Sequence, residues 1–164
     1  MTKLLQKLET LEGLKQVVAR RGLFAILDSC DSPAVRQKVD ALGELAVSLY
    51  RGHADEGYED VAPYLVRVDN PLLDWIHNSL CNEPWGIFAI AEAAIGDLSN
   101  HFRKFLVVEK PDGEKAYFRF YDPRILRALL PACTSDELNQ FYGPIETYGI
   151  THFEAGKVML WRRV

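Results

Sequence analysis

Three short, almost wholly apolar runs restrict this chain to a layered fold around a buried sheet. They lie at residues 22–28, 63–68 and 85–90, with turn-forming or charged residues close to their ends. A run of four to eight apolar residues between turn signals is typical of a strand that is covered on both faces. Residues 46–50 form a further predicted strand.

Helical patterns alternate with these runs. Apolar residues recur every three or four positions in residues 3–21, which predicts an amphipathic helix there. Asn70 precedes Pro71, the cap-then-proline signature of a helix start. Asp97 is predicted to cap a helix over residues 98–105. The alternation predicts the α/β fold class, with α+β as the other possibility, in which helices cover a mixed sheet.

A change of structure is predicted within residues 118–126, where three aromatic residues and two arginines surround Asp122 and Pro123. Asp is a good N-cap and Pro suits the first helical position. Asp122 and Pro123 are therefore the predicted structural junction at which an extended segment ends and a helix over residues 123–130 begins.

The chain is long enough for one domain with its own core, residues 1–164. The junction divides it into an α/β lobe over residues 22–121 and a smaller, more helical C-terminal lobe over residues 122–164. The second lobe is predicted to contain a helix over residues 135–142, started by a capping box of Thr134 and Glu137, and a terminal hairpin around residues 154–157.

Charge and composition exclude several classes of protein. Lysine and arginine number 19 against 23 aspartates and glutamates, a formal net charge of −4. Nucleic-acid binding depends on a basic surface that neutralises phosphates, so we expect no nucleic-acid partner. The most apolar window, residues 85–94, is shorter than the roughly 20 residues that cross a bilayer, so we expect no membrane partner. Three cysteines cannot pair completely, which favours the reducing cytoplasm.

Motifs of known chemistry are missing from the sequence. The four histidines lack metal-binding spacing, no Cys-x-x-Cys is present, and neither a phosphate loop nor a Gly-x-Ser-x-Gly elbow occurs. We therefore expect no catalytic residue, no metal and no cofactor.

Four residues have both a chemical and a structural interpretation. Cys30 is either a nucleophile or a small, partly buried side chain, and Asp28 is either an acid or the cap of the turn that follows. Arg119 and Arg124 either form an anion site together with His101, Arg103 and Lys104 or brace the junction by pairing with Asp122. We favour the structural interpretation for all four.

Aromatic residues are more numerous than one small core readily buries. They suit an interaction surface, because Tyr and Trp combine apolar area with a polar tip, and they equally suit an aromatic core. The residues concerned are Tyr50, Tyr58, Tyr64, Trp75, Trp85, Phe141, Tyr142, Tyr148, Phe153 and Trp161.

Seven short motifs occur in a recognisable order. They are Phe-Ala-Ile-Leu-Asp at 24–28, Leu-Tyr-Arg-Gly at 49–52, Ala-Pro-Tyr-Leu-Val at 62–66, Trp-Gly-Ile at 85–87, His-Phe-Arg-Lys-Phe-Leu at 101–106, Phe-Arg-Phe-Tyr-Asp-Pro-Arg-Ile-Leu at 118–126 and Phe-Tyr-Gly-Pro at 141–144. Together they resemble the bacterial type VI secretion effector chaperones, also called adaptors, over residues 23–144.

The resemblance implies a cytoplasmic chaperone or adaptor that is not an enzyme. Its partner would be a cognate type VI effector protein, which it stabilises and loads onto the VgrG spike, itself a second candidate partner. The residues that we assign to partner binding are Tyr64, Trp85, Arg119, Tyr121, Arg124, Phe141 and Tyr142.

Two other functions remain open on chemical grounds. The first is a small cytoplasmic enzyme, hydrolytic or phosphate-directed, that uses a cleft near Asp28, Arg119 and Asp122. The second is a regulatory module that binds a small ligand.

Overall fold

A seven-stranded antiparallel sheet forms the centre of the protein, and helices pack against it. The computed structural model describes residues 3–50, 61–152 and 156–164. The elements follow the chain in the order β1 (Leu4–Glu9), α1 (Leu11–Arg20), β2 (Gly22–Asp28), α2 (Pro33–Leu42), β3 (Val47–Ser48), β4 (Pro63–Arg67), α3 (Asn70–Leu80), β5 (Gly86–Ala91), α4 (Ile95–Arg103), β6 (Val107–Glu109), β7 (Lys115–Tyr117), α5 (Pro123–Ala132), α6 (Ser135–Tyr142), β8 (Thr147–His152) and β9 (Lys157–Arg163).

The strands of the large sheet lie in the order β1-β9-β8-β5-β2-β4-β3, and β6 and β7 form a separate hairpin. Every strand pair in the described residues is antiparallel. The predicted α/β class is confirmed. Because the strands are antiparallel, the sheet has the α+β arrangement, which the sequence analysis gave as the other possibility.

The strand β2 forms the middle of the core. Its residues are all buried, and Ile26 lies opposite Leu65 of β4 on one side and Ile87 of β5 on the other. Because every residue of β2 is buried, both of its faces are covered, which explains why the sequence shows a continuous apolar run and no alternation. Burying each large apolar side chain stabilises the fold by roughly 1.5–3 kcal/mol.

The prediction of one helix over residues 3–21 is wrong. The segment forms a strand, β1, and then a shorter helix, α1, whose N-cap Thr10 accepts a hydrogen bond from the Gly13 N–H at 3.1 Å. Strand β1 pairs with β9 from the opposite end of the chain. The spacing of apolar residues within 3–21 is a local pattern and carries no information about pairing with β9. Taken alone, that spacing indicated a helix.

Two further boundaries differ from the predictions. The strand predicted over residues 46–50 is only Val47–Ser48. Helix α4 begins at Ile95 instead of Leu98, and no side chain caps it. Asp97 therefore lies inside the first helical turn, where the helix dipole favours a carboxylate as it does at a cap position.

Other local signals are confirmed. Thr134 forms a capping box with Glu137 at the start of α6, and the predicted terminal hairpin is β8 with β9. Residues 51–60, which include Tyr58, and residues 153–155, which include Phe153, lie outside the described residues. In the part of the chain that the structure describes, no helix is long and apolar enough to cross a membrane.

The end of α6 packs tightly on α4. Gly143 adopts φ of 48°, a left-handed conformation that favours glycine, and a Cβ atom there would lie 2.4 Å from Cε1 of His101. The His101 side chain is buried, and its Nε2 lies 2.8 Å from the Phe141 carbonyl oxygen. Burial lowers the pKa of His101, although the contact with the Phe141 carbonyl opposes this effect.

Candidate functional site

The two ends of β2 border two different depressions in the surface. At its C-terminal end lies a cavity of about 310 Å³, here called the polar pocket. Its charged and thiol side chains are Asp28, Cys30, Asp31, Glu83, Arg119 and Arg124. Near its N-terminal end lies a cavity of about 510 Å³, here called the apolar groove. Its apolar side chains are Val18, Phe24, Leu42, Leu45, Val47, Val66, Val68, Leu72 and Ile95.

An ion pair between Asp28 and Arg119 forms one wall of the polar pocket. Asp28 is 5% exposed, and it accepts hydrogen bonds from Arg119 and, at 3.1 Å, from the Cys30 N–H. Burial raises the pKa of the Asp28 carboxyl above its ordinary value, and the Cys30 and Arg119 donors limit the rise. For Arg119, burial favours a lower pKa, but the Asp28 carboxylate outweighs it and raises the pKa.

The structural role of Asp28 differs in part from the prediction. The carboxylate holds the backbone of Cys30, two residues ahead, but helix α2 is capped by Ser32, whose Oγ accepts from the Val35 N–H at 3.4 Å. Asp28 instead ties the end of β2 to Arg119, 91 positions further along the chain.

The predicted junction at Asp122 and Pro123 is confirmed as the start of α5. Asp122 caps the helix by accepting from the Arg124 N–H at 2.9 Å, and its carboxylate also receives the Arg124 guanidinium at 2.8 and 3.0 Å. Burial on its own raises the pKa of the Asp122 carboxyl, but these donors outweigh it and hold the pKa below its ordinary value. Only one of the two arginines braces Asp122 directly, since Arg119 pairs with Asp28.

Both arginines keep donors for a further partner. The side chains of Arg119 and Arg124 are 40% and 70% exposed, and a guanidinium has five N–H donors. Glu83 and Asp31 also line the pocket, so its charges are of both signs. This mixture suits the polar side chains of a protein partner better than it suits a free phosphate.

The thiol of Cys30 is poorly suited to act as a nucleophile. Burial and the nearby Asp31 and Asp28 carboxylates raise its pKa, which suppresses the reactive thiolate. None of the residues that line the pocket is a histidine able to activate it. The described residues contain no group of three or more His, Cys, Asp or Glu side chains placed to hold a metal ion.

Five of the aromatic residues assigned to partner binding do not form an exposed surface in this structure. Each is at most 8% exposed, because each belongs to the hydrophobic core. They are Tyr64, Trp85, Tyr121, Phe141 and Tyr142. Of the residues assigned to partner binding, only Arg119 and Arg124 present a substantial part of their side chains to solvent.

These aromatic residues have hydrogen-bonding and packing roles instead. The Tyr142 hydroxyl donates to the Trp161 carbonyl at 2.9 Å, and Trp85 Nε1 donates to Thr151 Oγ1 at 3.1 Å. The Phe141 ring stacks on Tyr148, with ring centroids 5.0 Å apart. The aromatic-core alternative therefore accounts for them, since each polar tip finds a partner inside the protein.

Sequence reasoning did not identify the apolar groove. Leu45 is 70% exposed there, as the last residue of the short 3-10 turn Gly43–Leu45 that follows α2. The Arg67 guanidinium lies over the Phe24 ring, 5.7 Å from its centroid, at the floor of the groove. A weak signal existed in Leu42 and Leu45, two apolar residues on either side of the helix-ending Gly43.

A scan against protein-family models relates the chain to one family, described as Domain of unknown function (DUF4123), over residues 23–140. Neither a curated protein nor a solved structure matches. The match covers well over half of the chain and spans both β2, which ends in the polar pocket, and the Asp122 junction. The chain therefore belongs to the DUF4123 family, which is associated with effector adaptors of type VI secretion.

Proposed function

We propose that this chain is a cytoplasmic adaptor that binds one specific type VI effector, stabilises it and promotes its loading onto the VgrG spike. The observation that carries the proposal is the family match over residues 23–140. The chain acts as a binding protein and not as an enzyme in this proposal. An adaptor requires an accessible surface of suitable shape and no reactive group.

The apolar groove is the feature that best fits a protein partner. It has about 510 Å³ of space, and its lining is mainly apolar, with Glu44, Arg67 and Asp69 as the charged members. Apolar clefts with a few polar groups are typical of recognition sites, because the apolar part supplies affinity and the polar part fixes orientation. In this proposal the groove receives an apolar segment of the effector.

The polar pocket provides a second contact for the same effector. Arg119 and Arg124 are held in place by Asp28 and Asp122, so little side-chain entropy is lost when they bind a further carboxylate or carbonyl. Rim contacts of this kind contribute mainly to specificity and to the rate of association.

Native mass spectrometry of the tagged protein, purified gently from its own host, tests the proposal. A stoichiometric complex with one larger protein is the expected result. A bare chain at its own mass, under conditions in which the secretion machinery is expressed, contradicts it.

A matched pair of variants tests the groove. Leu45→Ser removes the most exposed apolar side chain of the groove and is expected to weaken effector binding about tenfold. Val108→Ser makes the same type of change at an exposed position on β6 that does not line the groove, so it should bind normally. Equal binding by both variants contradicts the assignment of the groove.

One observation favours a second candidate function, a small hydrolytic or phosphate-directed enzyme. The pKa of Asp28 is raised and that of Asp122 is lowered, and carboxylates with opposite shifts are a pattern found in acid–base sites. Asp122→Asn keeps an N-capping side chain and tests this alternative. Retained effector binding and unchanged cell function in that variant argue against an enzyme.

A further inference from the structure

Strand β1 forms an edge of the large sheet, and no other strand among the described residues pairs with its outer side. The strand is six residues long, whereas β3 at the opposite edge has two. Leu5 and Leu8 of β1 are 57% and 44% exposed. A free strand edge of this length is a template for pairing with another strand.

The hydrogen bonds to β9 show which backbone groups point outward. Lys3 and Val164 exchange both of their N–H···O bonds, at 3.2 and 2.8 Å, so they form a hydrogen-bonded pair. Such pairs alternate along an antiparallel ladder, so the odd-numbered residues of β1 bond to β9. The even-numbered residues direct their N–H and C=O groups away from the sheet. They are Leu4, Gln6 and Leu8.

We propose that two copies of this chain pair through β1, antiparallel, about a two-fold axis that passes beside Gln6. A symmetric antiparallel pair places one residue opposite its own copy. With Gln6 in that position, Leu4 of each copy lies opposite Leu8 of the other. All the outward-pointing backbone groups of both strands then find partners, and two seven-stranded sheets become one.

The side chains of β1 complement themselves in this register. Lys3 lies opposite Glu9, a pair of opposite charges, and Leu5 lies opposite the aliphatic stem of Lys7. The even-numbered side chains form two Leu4–Leu8 pairs around the central glutamines. These cross-strand pairs are the contacts that stabilise antiparallel sheets.

The neighbouring registers lack this complementarity. An axis at Lys7 places the two Lys7 side chains opposite each other, and an axis at Leu5 places Lys3 opposite Lys7. Like charges directly opposite are destabilising. Among these three registers, the charge pattern favours a second copy of this chain with the axis at Gln6. This inference does not depend on the proposed adaptor function.

Sedimentation equilibrium over a wide concentration range tests the proposal. The parent protein is expected to form dimers. Gln6→Pro removes one outward N–H from each copy but no bond to β9, so it should fold normally and weaken dimerisation at least about tenfold. Gln6→Thr keeps the N–H and should dimerise like the parent. A parent that stays monomeric, or a folded Gln6→Pro protein that dimerises normally, overturns the proposal.

Disulfide trapping tests the register without relying on the proline variant. Opposed residues that do not exchange hydrogen bonds have Cα atoms about 4.5 Å apart, within reach of a disulfide. A mixture of Leu5→Cys and Lys7→Cys proteins is expected to form a 5–7 cross-link, identified by peptide mass, above the background of the parent cysteines. A parent dimer that yields no such cross-link shows that another surface, or another register, joins the copies.

Discussion

The polar pocket and the apolar groove lie near opposite ends of the same buried strand. The charged side chains of the pocket already have partners inside the protein, whereas part of the apolar surface of the groove is exposed to solvent. In the pocket, Asp28 accepts hydrogen bonds from the Cys30 N–H and the Arg119 guanidinium, and the Arg124 guanidinium, which also lines the pocket, donates to Asp122. In the groove, Leu45 is 70% exposed. The pocket contributes to the stability of the fold, whereas the groove leaves apolar area that a partner is able to cover.

The two regions should therefore respond differently to mutation, one mainly in the stability of the fold and the other mainly in partner binding. The pocket residues hold distant segments together, since Asp28 and Arg119 are 91 positions apart in the chain. Replacing them should therefore change stability first and binding second. In the groove, Leu45 is 70% exposed, so replacing it should change binding first.

The largest effect is expected for Trp85→Ala, at the base of the polar pocket. Trp85 is 2% exposed, and its ring packs edge-on against Phe88 with centroids 4.8 Å apart. Removing it should lower the free energy of unfolding by about 3–5 kcal/mol, measured by urea denaturation. Trp85→Phe, which keeps most of the volume, should cost much less. A near-neutral Trp85→Ala protein contradicts the view that this end of β2 stabilises the fold.

A smaller effect is expected for Asp122→Ala. The variant loses the cap of α5 and the bidentate partner of Arg124, and should be destabilised by about 1 kcal/mol. Asp122→Ser keeps a capping side chain and should recover most of the loss. If serine is as damaging as alanine, the guanidinium pair and not the cap is the stabilising contact.

Opposite pH dependences are expected for the Asp28 and Asp122 carboxyls. Both have an ordinary pKa of 3.8; the folded state raises the pKa of Asp28 and lowers that of Asp122. The folded state therefore binds the Asp28 proton more tightly, and the stability of the parent relative to Asp28→Asn should fall as pH rises above 3.8. The stability of the parent relative to Asp122→Asn should fall as pH drops below 3.8. Parallel denaturation curves across this pH range for either variant contradict the corresponding shift.

The smallest effect on stability is expected in the apolar groove. Leu45→Ser should change the free energy of unfolding by less than about 0.5 kcal/mol, because an exposed side chain loses little packing. Thermal or urea denaturation measures this. A large loss of stability shows that Leu45 packs in the core, and the contrast between the two ends of β2 then disappears.

Local sequence signals predicted several elements well. The Asp122–Pro123 step, the Thr134 capping box and the apolar run of β2 each act within a few residues, and each is present as expected. The helix expected over residues 3–21 failed because its first half pairs with β9 at the far end of the chain. A pairing over such a distance leaves no local pattern.

The candidate site was predicted less completely. The open alternative of a cleft near Asp28, Arg119 and Asp122 included two residues that line the polar pocket, Asp28 and Arg119. Phe141 and Tyr142, assigned to partner binding, are buried. Aromatic residues are common both in protein cores and at interfaces, so their presence in the sequence does not show which of the two they form. Only the packing of α6 against α4 and β8 shows that they are buried.

The sequence by itself determined the fold class, the caps of α5 and α6 and the family, because these depend on patterns within short segments. The tertiary structure alone decided which arginine pairs with which carboxylate, where the apolar groove lies and that β1 is an edge strand. These features join residues that are far apart in the chain, and their contacts exist only once the segments have packed together.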